Sequence, residues 1–111
     1  MKQTANIKLI KKIFKEVYHP APIRFIKIHG SKFMESGLPD LLVLVDNKHF
    51  WFEIKRDWTD EPEPIQKWNI SVLSNFNFIT GFVAGDEFKS NWENPFPMKL
   101  KDFLKRIISV K

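Results

Sequence analysis

The sequence predicts an α/β domain in which helices flank a central mixed β-sheet, and three observations carry that prediction. Apolar residues recur at helical spacing at both ends of the chain. Two apolar runs, 41–45 and 50–55, stand on either side of turn-forming residues, as the arms of a hairpin do. A further helical stripe is then followed by a further strand-like run, so strands occupy the middle of the chain and helices surround them.

Taken in order, Ile7, Ile10, Ile13, Phe14 and Val17 fall on one face of an opening helix, with Lys8, Lys11, Lys12 and Lys15 on the others. His19-Pro20-Ala21-Pro22 ends it, because proline disfavours helical geometry in the residue before it. Arg24 to His29 alternates and is rich in β-formers, which predicts a strand closed by Gly30. Ser31 to Gly37 is polar and loop-like. Leu41 to Val45 predicts a buried strand, Asp46-Asn47-Lys48 a turn and Phe50 to Lys55 its antiparallel partner. After an acidic, proline-containing loop, Pro64 suits the first turn of a helix reaching about Phe76. Its apolar stripe is expected on Ile65, Trp68, Val72 and Phe76, widened by Ile70 and Leu73. Phe78 to Ala84 predicts another strand, closed by Gly85-Asp86. Glu87 to Met98 shows no period, holds Pro95 and Pro97, and is expected to cross the surface. Leu100, Phe103, Leu104, Ile107 and Ile108 predict a final helix within 98–111.

At 111 residues the chain has room for one hydrophobic core, which predicts a single domain over 1–111. The longest apolar run, Leu41 to Val45, is far short of the roughly 20 residues a membrane-spanning helix needs. The lysine-containing N-terminus lacks the apolar stretch of a secretion signal, so an intracellular location is expected. With no cysteine, disulfides, thiolate nucleophiles and cysteine zinc sites are excluded, and any metal falls to oxygen or imidazole ligands. A net charge of +5 favours encounters with a polyanion.

Chemistry concentrates on two neighbouring strands. Glu53 and Lys55 project from the same strand face, about 6.6 Å apart at roughly 3.3 Å per residue. Their neighbours Phe50, Trp51, Phe52 and Ile54 are apolar, and charges in such surroundings must be paired or bound to metal. Asp40 begins the partner strand, so the hairpin brings its carboxylate to the sheet end that holds Glu53. Two carboxylates and a backbone carbonyl, for which Ile54 is the candidate, form a hard ligand set suited to Mg²⁺ or Mn²⁺. Such an ion polarises a phosphoryl oxygen and acidifies a water, and Lys55 supplies further positive charge. Gln66, in step with Ile70 and Leu73, is expected to face the sheet.

Gly37-Leu38-Pro39-Asp40, then Phe52-Glu53-Ile54-Lys55-Arg56, then Gln66 resembles the VRR-NUC branch of the PD-(D/E)xK nucleases, over roughly Ile23 to Ala84. The resemblance implies a restriction-endonuclease-like fold, Mg²⁺ or Mn²⁺ held by Asp40 and Glu53, Lys55 as catalytic lysine and Gln66 as accessory active-site residue. It also implies a homodimer acting on branched DNA such as Holliday junctions. Many relatives carry a glutamate on the first helix. Here the only acid there is Glu16, late in the helix, and Gln3 and Asn6 lie nearer the expected position.

Around the centre, His29, Ser31, Lys32 and Arg56 are candidate DNA contacts. Trp92 and Phe96 are candidates for a subunit interface, with base stacking or a satellite apolar cluster as alternatives. His19 and His49 lack metal-ligand spacing and read as surface or turn residues. The alternatives to a junction-cutting dimer are a monomeric nickase or flap nuclease, and a non-catalytic nucleic-acid-binding module.

Overall fold

Asp46 and Asn47 set the register of the central hairpin. Both adopt positive φ, 49° and 62°, the left-handed pair that a two-residue turn between twisted antiparallel strands demands. Asp and Asn reach this region at lower cost than other side chains. The hairpin joins β2 (Leu41–Val45) to β3 (Lys48–Lys55), with Leu41 opposite Phe52 and Val45 opposite Lys48. In this computed structural model residues 3–28 and 38–109 are described. His29, Ser31, Lys32 and Gly37 lie outside them, as do the predicted end of the first strand and the loop that follows it.

The remaining elements are α1 (Gln3–Tyr18), β1 (Arg24–Lys27), α2 (Pro64–Leu73) with a 3₁₀ turn over Ser74–Phe76, β4 (Ile79–Ala84), β5 (Glu87–Lys89), β6 (Met98–Lys99) and α3 (Leu100–Ser109). The six strands form one sheet in sequence order. Only β3 and β4 run parallel, and α2 supplies the crossover that a parallel pair requires. The protein is therefore α/β, with a six-stranded mixed sheet flanked by helices. No helix among the described residues is long and apolar enough to cross a membrane.

Strand alternation divides the sheet into two faces. Phe50, Phe52 and Ile54 of β3, with Val43, Val83 and Phe88, meet Ile10, Phe14, Leu100 and Leu104 of α1 and α3 in the main core. Phe14 lies at its centre, 5.1 Å from Phe50 edge-on and 5.9 Å from Phe25 between ring centroids. Phe88 stacks on Phe103 at 3.9 Å. Trp51, Glu53 and Lys55 point to the other face, where α2 lies and Ile70, Phe82 and Trp92 form a smaller cluster against Trp58.

Two expectations are corrected. The stretch Glu87–Met98 contains β5 and β6, strands of three and two residues, too short for a period to register in sequence. Most of the apolar stripe expected for this helix also faces outward: Trp68 is 60% and Phe76, in the 3₁₀ turn, 62% exposed, Ile65 is exposed too, and only Val72 is half-buried. The sheet takes the stripe of Gln66, Asn69, Ile70 and Leu73 instead, because Ile70 packs with Phe82 and Gln66 finds polar partners beneath the helix. Trp92 is buried in that smaller cluster, which favours the satellite-cluster reading over an interface role, whereas Phe96 is 79% exposed.

Gly81 sits where β4 meets β5. A Cβ there would overlap the Phe88 ring and lie 2.6 Å from the Lys89 carbonyl oxygen. Backbone cannot yield as a flexible side chain does, so Gly81→Ala is expected to lower unfolding free energy by about 2–3 kcal/mol, measured by urea denaturation.

Candidate active site

The site begins with the backbone of Asp40. Leu38-Pro39 leads into β2, and the Asp40 carbonyl accepts a hydrogen bond from Ile28 N at 2.8 Å, fastening this residue to the β1 side of the sheet. Its carboxylate reaches across to β3, where Oδ2 accepts from Ile54 N at 2.9 Å. The bond joins the two motif segments, residues 40 and 54, through one carboxylate oxygen. The contact seen for Ile54 is thus its amide, while the sequence nominated its carbonyl.

Glu53 is buried on the α2 face. Its Oε1 accepts from Gln66 Nε2 at 3.0 Å, and Oε2 is buried with no hydrogen-bond donor. Burial, then the neighbouring Asp40 carboxylate, push its pKa from the ordinary 4.5 up to about 9, while Lys55 draws it down more weakly. Two carboxylates packed together out of water cannot both hold their charge without a cation or a shared proton. Gln66 is fixed in turn at the start of α2, where its Oε1 accepts from Glu63 N at 2.9 Å. It therefore serves as helix cap and carboxylate clamp together, the cap supplied from the third helical position.

Lys55 is also buried on this face. Its Nζ lies 3.7 Å from Asp60 Oδ1, and Asp60 Oδ2 accepts from Arg56 N at 3.3 Å. Asp60 was missed from the sequence. It sits in the acidic loop after β3, among Asp57, Glu61 and Glu63, and only the fold of that loop selects it from them. Arg56 is exposed at the mouth of the same loop.

Asn6, which the sequence set near the expected first-helix position, takes a role that the sequence did not foresee. It is fully buried, its Nδ2 donates to the Lys55 carbonyl at 3.3 Å, and its Oδ1 accepts from Gly85 N at 3.1 Å. One amide on α1 thus ties the ends of β3 and β4 together beside the catalytic candidates. At this end of the sheet the described part of α1 presents a neutral amide. Glu16, ten residues further along α1, pairs with Lys101 at 3.7 Å and takes no part. Loss of this latch in Asn6→Ala leaves the Gly85 amide without its acceptor, and an expected destabilisation of about 2 kcal/mol can be read from the denaturation midpoint.

The four residues Asp40, Glu53, Lys55 and Gln66 are brought to one end of the sheet. Among the described residues no group of three or more His, Asp or Glu side chains forms a metal-ligand cluster. The ligand set on offer is two carboxylates, and of these Glu53 Oε2 is the oxygen with an unmet need. Hard oxygen donors in a buried, electron-rich pair suit a divalent cation that keeps part of its hydration shell. His19 and His49 are exposed, as expected. Compared with protein-family models, curated proteins and solved structures, the chain finds no match, so the site rests on its own geometry and on the motif in its sequence.

Proposed function

We propose that this protein is a metal-dependent endonuclease of restriction-endonuclease-like fold that hydrolyses DNA phosphodiester bonds. The observation that carries this reading is the Asp40–Glu53 pair, two carboxylates held side by side with Glu53 buried and its Oε2 without a donor while both are ionised. The VRR-NUC-like motif supplies the reaction class, and the sheet order and helix placement are compatible with the fold it implies.

Asp40 and Glu53 are the residues that would hold Mg²⁺ or Mn²⁺, with the Ile54 carbonyl as the backbone candidate. When bound, such an ion supplies Lewis acidity toward a phosphoryl oxygen and toward water. The chain's own groups divide the remaining work. Ile54 N fixes one Asp40 oxygen and Gln66 fixes one Glu53 oxygen, so each carboxylate keeps the other oxygen available. Lys55, on the same strand face as Glu53, offers an ammonium to the charge that builds on phosphate, and Asp60 holds that ammonium in place. Burial of Lys55 and Glu53 strengthens their electrostatic action, since screening is weak out of water.

The substrate in this reading is branched DNA cut by a homodimer, because two sites related by a two-fold axis suit paired incisions at a symmetric junction. The exposed Ile65 and Trp68 of α2, with Phe76 in the 3₁₀ turn beyond it, support self-association.

Supercoiled plasmid and a synthetic four-way junction, incubated with Mg²⁺ or Mn²⁺, test the reading. Wild type is expected to cleave and Asp40→Ala to be inactive. Cleavage that survives Asp40→Ala, or its absence in wild type under both metals, sinks it. Sedimentation at micromolar concentration separates the dimer from a monomeric nickase.

A further inference from the structure

The chain's charge is concentrated on one side of the sheet. α1 and α3 carry Lys8, Lys11, Lys12, Lys15, Lys101, Lys105 and Arg106 against only Glu16 and Asp102. That surplus equals the +5 of the entire chain, so everything outside these two helices is neutral in sum. The two helices pack together on the sheet face opposite Glu53. Of their seven cations only Lys101 has an ion-pair partner among the described residues, Glu16.

The lysines of α1 also line a shape. Lys8, Lys11, Lys12 and Lys15, with Glu16 and His19, border a shallow groove along the helix. Spacings of three and four residues place them on one helix face. From Lys8 to Lys15 the helix rises about 10.5 Å at 1.5 Å per residue. A duplex strand advances about 3.4 Å along its axis per phosphate and also winds around it, so neighbouring phosphates stand farther apart than that and the stripe, with the reach of its lysines, spans about two to three of them. The catalytic end, by contrast, sets Asp40, Glu53, Asp57, Asp60, Glu61 and Glu63 against Lys55, Arg56 and Lys67, so acids outnumber cations there. Charge alone does not draw a polyanion there.

We infer that the α1/α3 layer is a phosphate-backbone binding surface for duplex DNA, which grips a stretch of duplex other than the one at the scissile phosphate. That the polyanion is DNA rests on the nuclease reading; the charged surface itself does not. An anionic membrane is the less suitable partner, because interfacial helices need a free apolar face. Here Ile10, Phe14, Leu100 and Leu104 are consumed by the core, and Ile108 is the one large apolar side chain of the two helices left exposed among the described residues. What remains for a partner is positive charge without an apolar wedge.

The test is fluorescence anisotropy of a labelled 20-base-pair duplex in EDTA, where no cleavage occurs, across 50–200 mM salt. The triple variant Lys8→Gln, Lys12→Gln, Lys15→Gln is expected to bind at least 10-fold more weakly. Its slope of log affinity against log salt should flatten by about 2.7, roughly 0.9 for each phosphate no longer neutralised. A second variant, Lys101→Gln, Lys105→Gln, Arg106→Gln, gives an independent measure on α3, and thermal melts show that each is folded. Slopes that match wild type in both variants overturn the inference, as does lysine-dependent binding to phosphatidylserine vesicles that exceeds binding to DNA. Cleavage by wild type in Mn²⁺ is scored separately. Lysine-dependent binding without cleavage removes the nuclease reading and keeps the surface, whereas cleavage with lysine-independent binding does the reverse.

Discussion

Lys55→Met is expected to slow DNA cleavage by about 10²–10³-fold, the loss typical when one preorganised charge at a reacting centre is removed. Methionine keeps the length and apolar stem of lysine, so packing under α2 is maintained and the ammonium alone is deleted. The competing account is that Lys55 merely pairs with Asp60, from which it stands 3.7 Å away. That account predicts a change in stability and none in rate. Asp60→Asn separates the two: it removes the pairing partner while leaving the ammonium, and is expected to cost far less activity than Lys55→Met. Single-turnover rates at saturating protein are the measurement. Equal rates for wild type and Lys55→Met would remove the lysine from the reaction.

The second large effect concerns Glu53 in metal-free protein. Its folded-state pKa, about 9, stands above the ordinary 4.5, chiefly through burial and then through Asp40. The folded protein therefore holds this proton more tightly than the unfolded chain. The stability it contributes is fully present below about pH 4.5 and is lost as pH rises toward 9. The steepest loss from one such group is about 1.4 kcal/mol per pH unit. Wild type in EDTA is accordingly expected to melt progressively lower from pH 5 to pH 9. Glu53→Gln carries no proton to lose, its amide oxygen can still accept from Gln66, and its NH₂ can donate to Asp40. At pH 8 this variant should melt higher than wild type by roughly 5 °C or more, and the two should converge near pH 5. Mn²⁺ should raise the melting temperature of wild type at pH 8 and leave Glu53→Gln unmoved. Superimposed pH profiles in EDTA would show that Glu53 titrates normally.

Much of this was legible in the residues themselves. Turn chemistry at Asp46-Asn47 specified the hairpin, and the hairpin, with strand alternation, accounts for Asp40 near Glu53 and for Lys55 on Glu53's face. The helical step from Gln66 to Ile70 and Leu73 likewise put the glutamine toward the sheet, where it holds Glu53. These are short-range inferences, each governed by backbone geometry over a few residues. The apolar stripe of α2 misled for the same reason. Ile65, Trp68, Val72 and Phe76 are as periodic as any core face, and periodicity says nothing about which of two faces finds the better partners.

The sequence by itself determined the element order as far as β4, the hairpin and the residue types of the site, because these follow from local steric preference and from periods of two and 3.6. Tertiary structure alone decided the rest. It chose Asp60 among four loop acids to face Lys55, set Asn6 as the latch between Lys55 and Gly85, and drew the short strands β5 and β6 into the sheet. It also gathered the basic faces of α1 and α3 onto one side. Each of these depends on contacts between residues far apart in the chain, such as the 49 positions separating Asn6 from Lys55. No local preference encodes such a pairing; it exists only once the sheet has formed and the buried polar groups have found their partners.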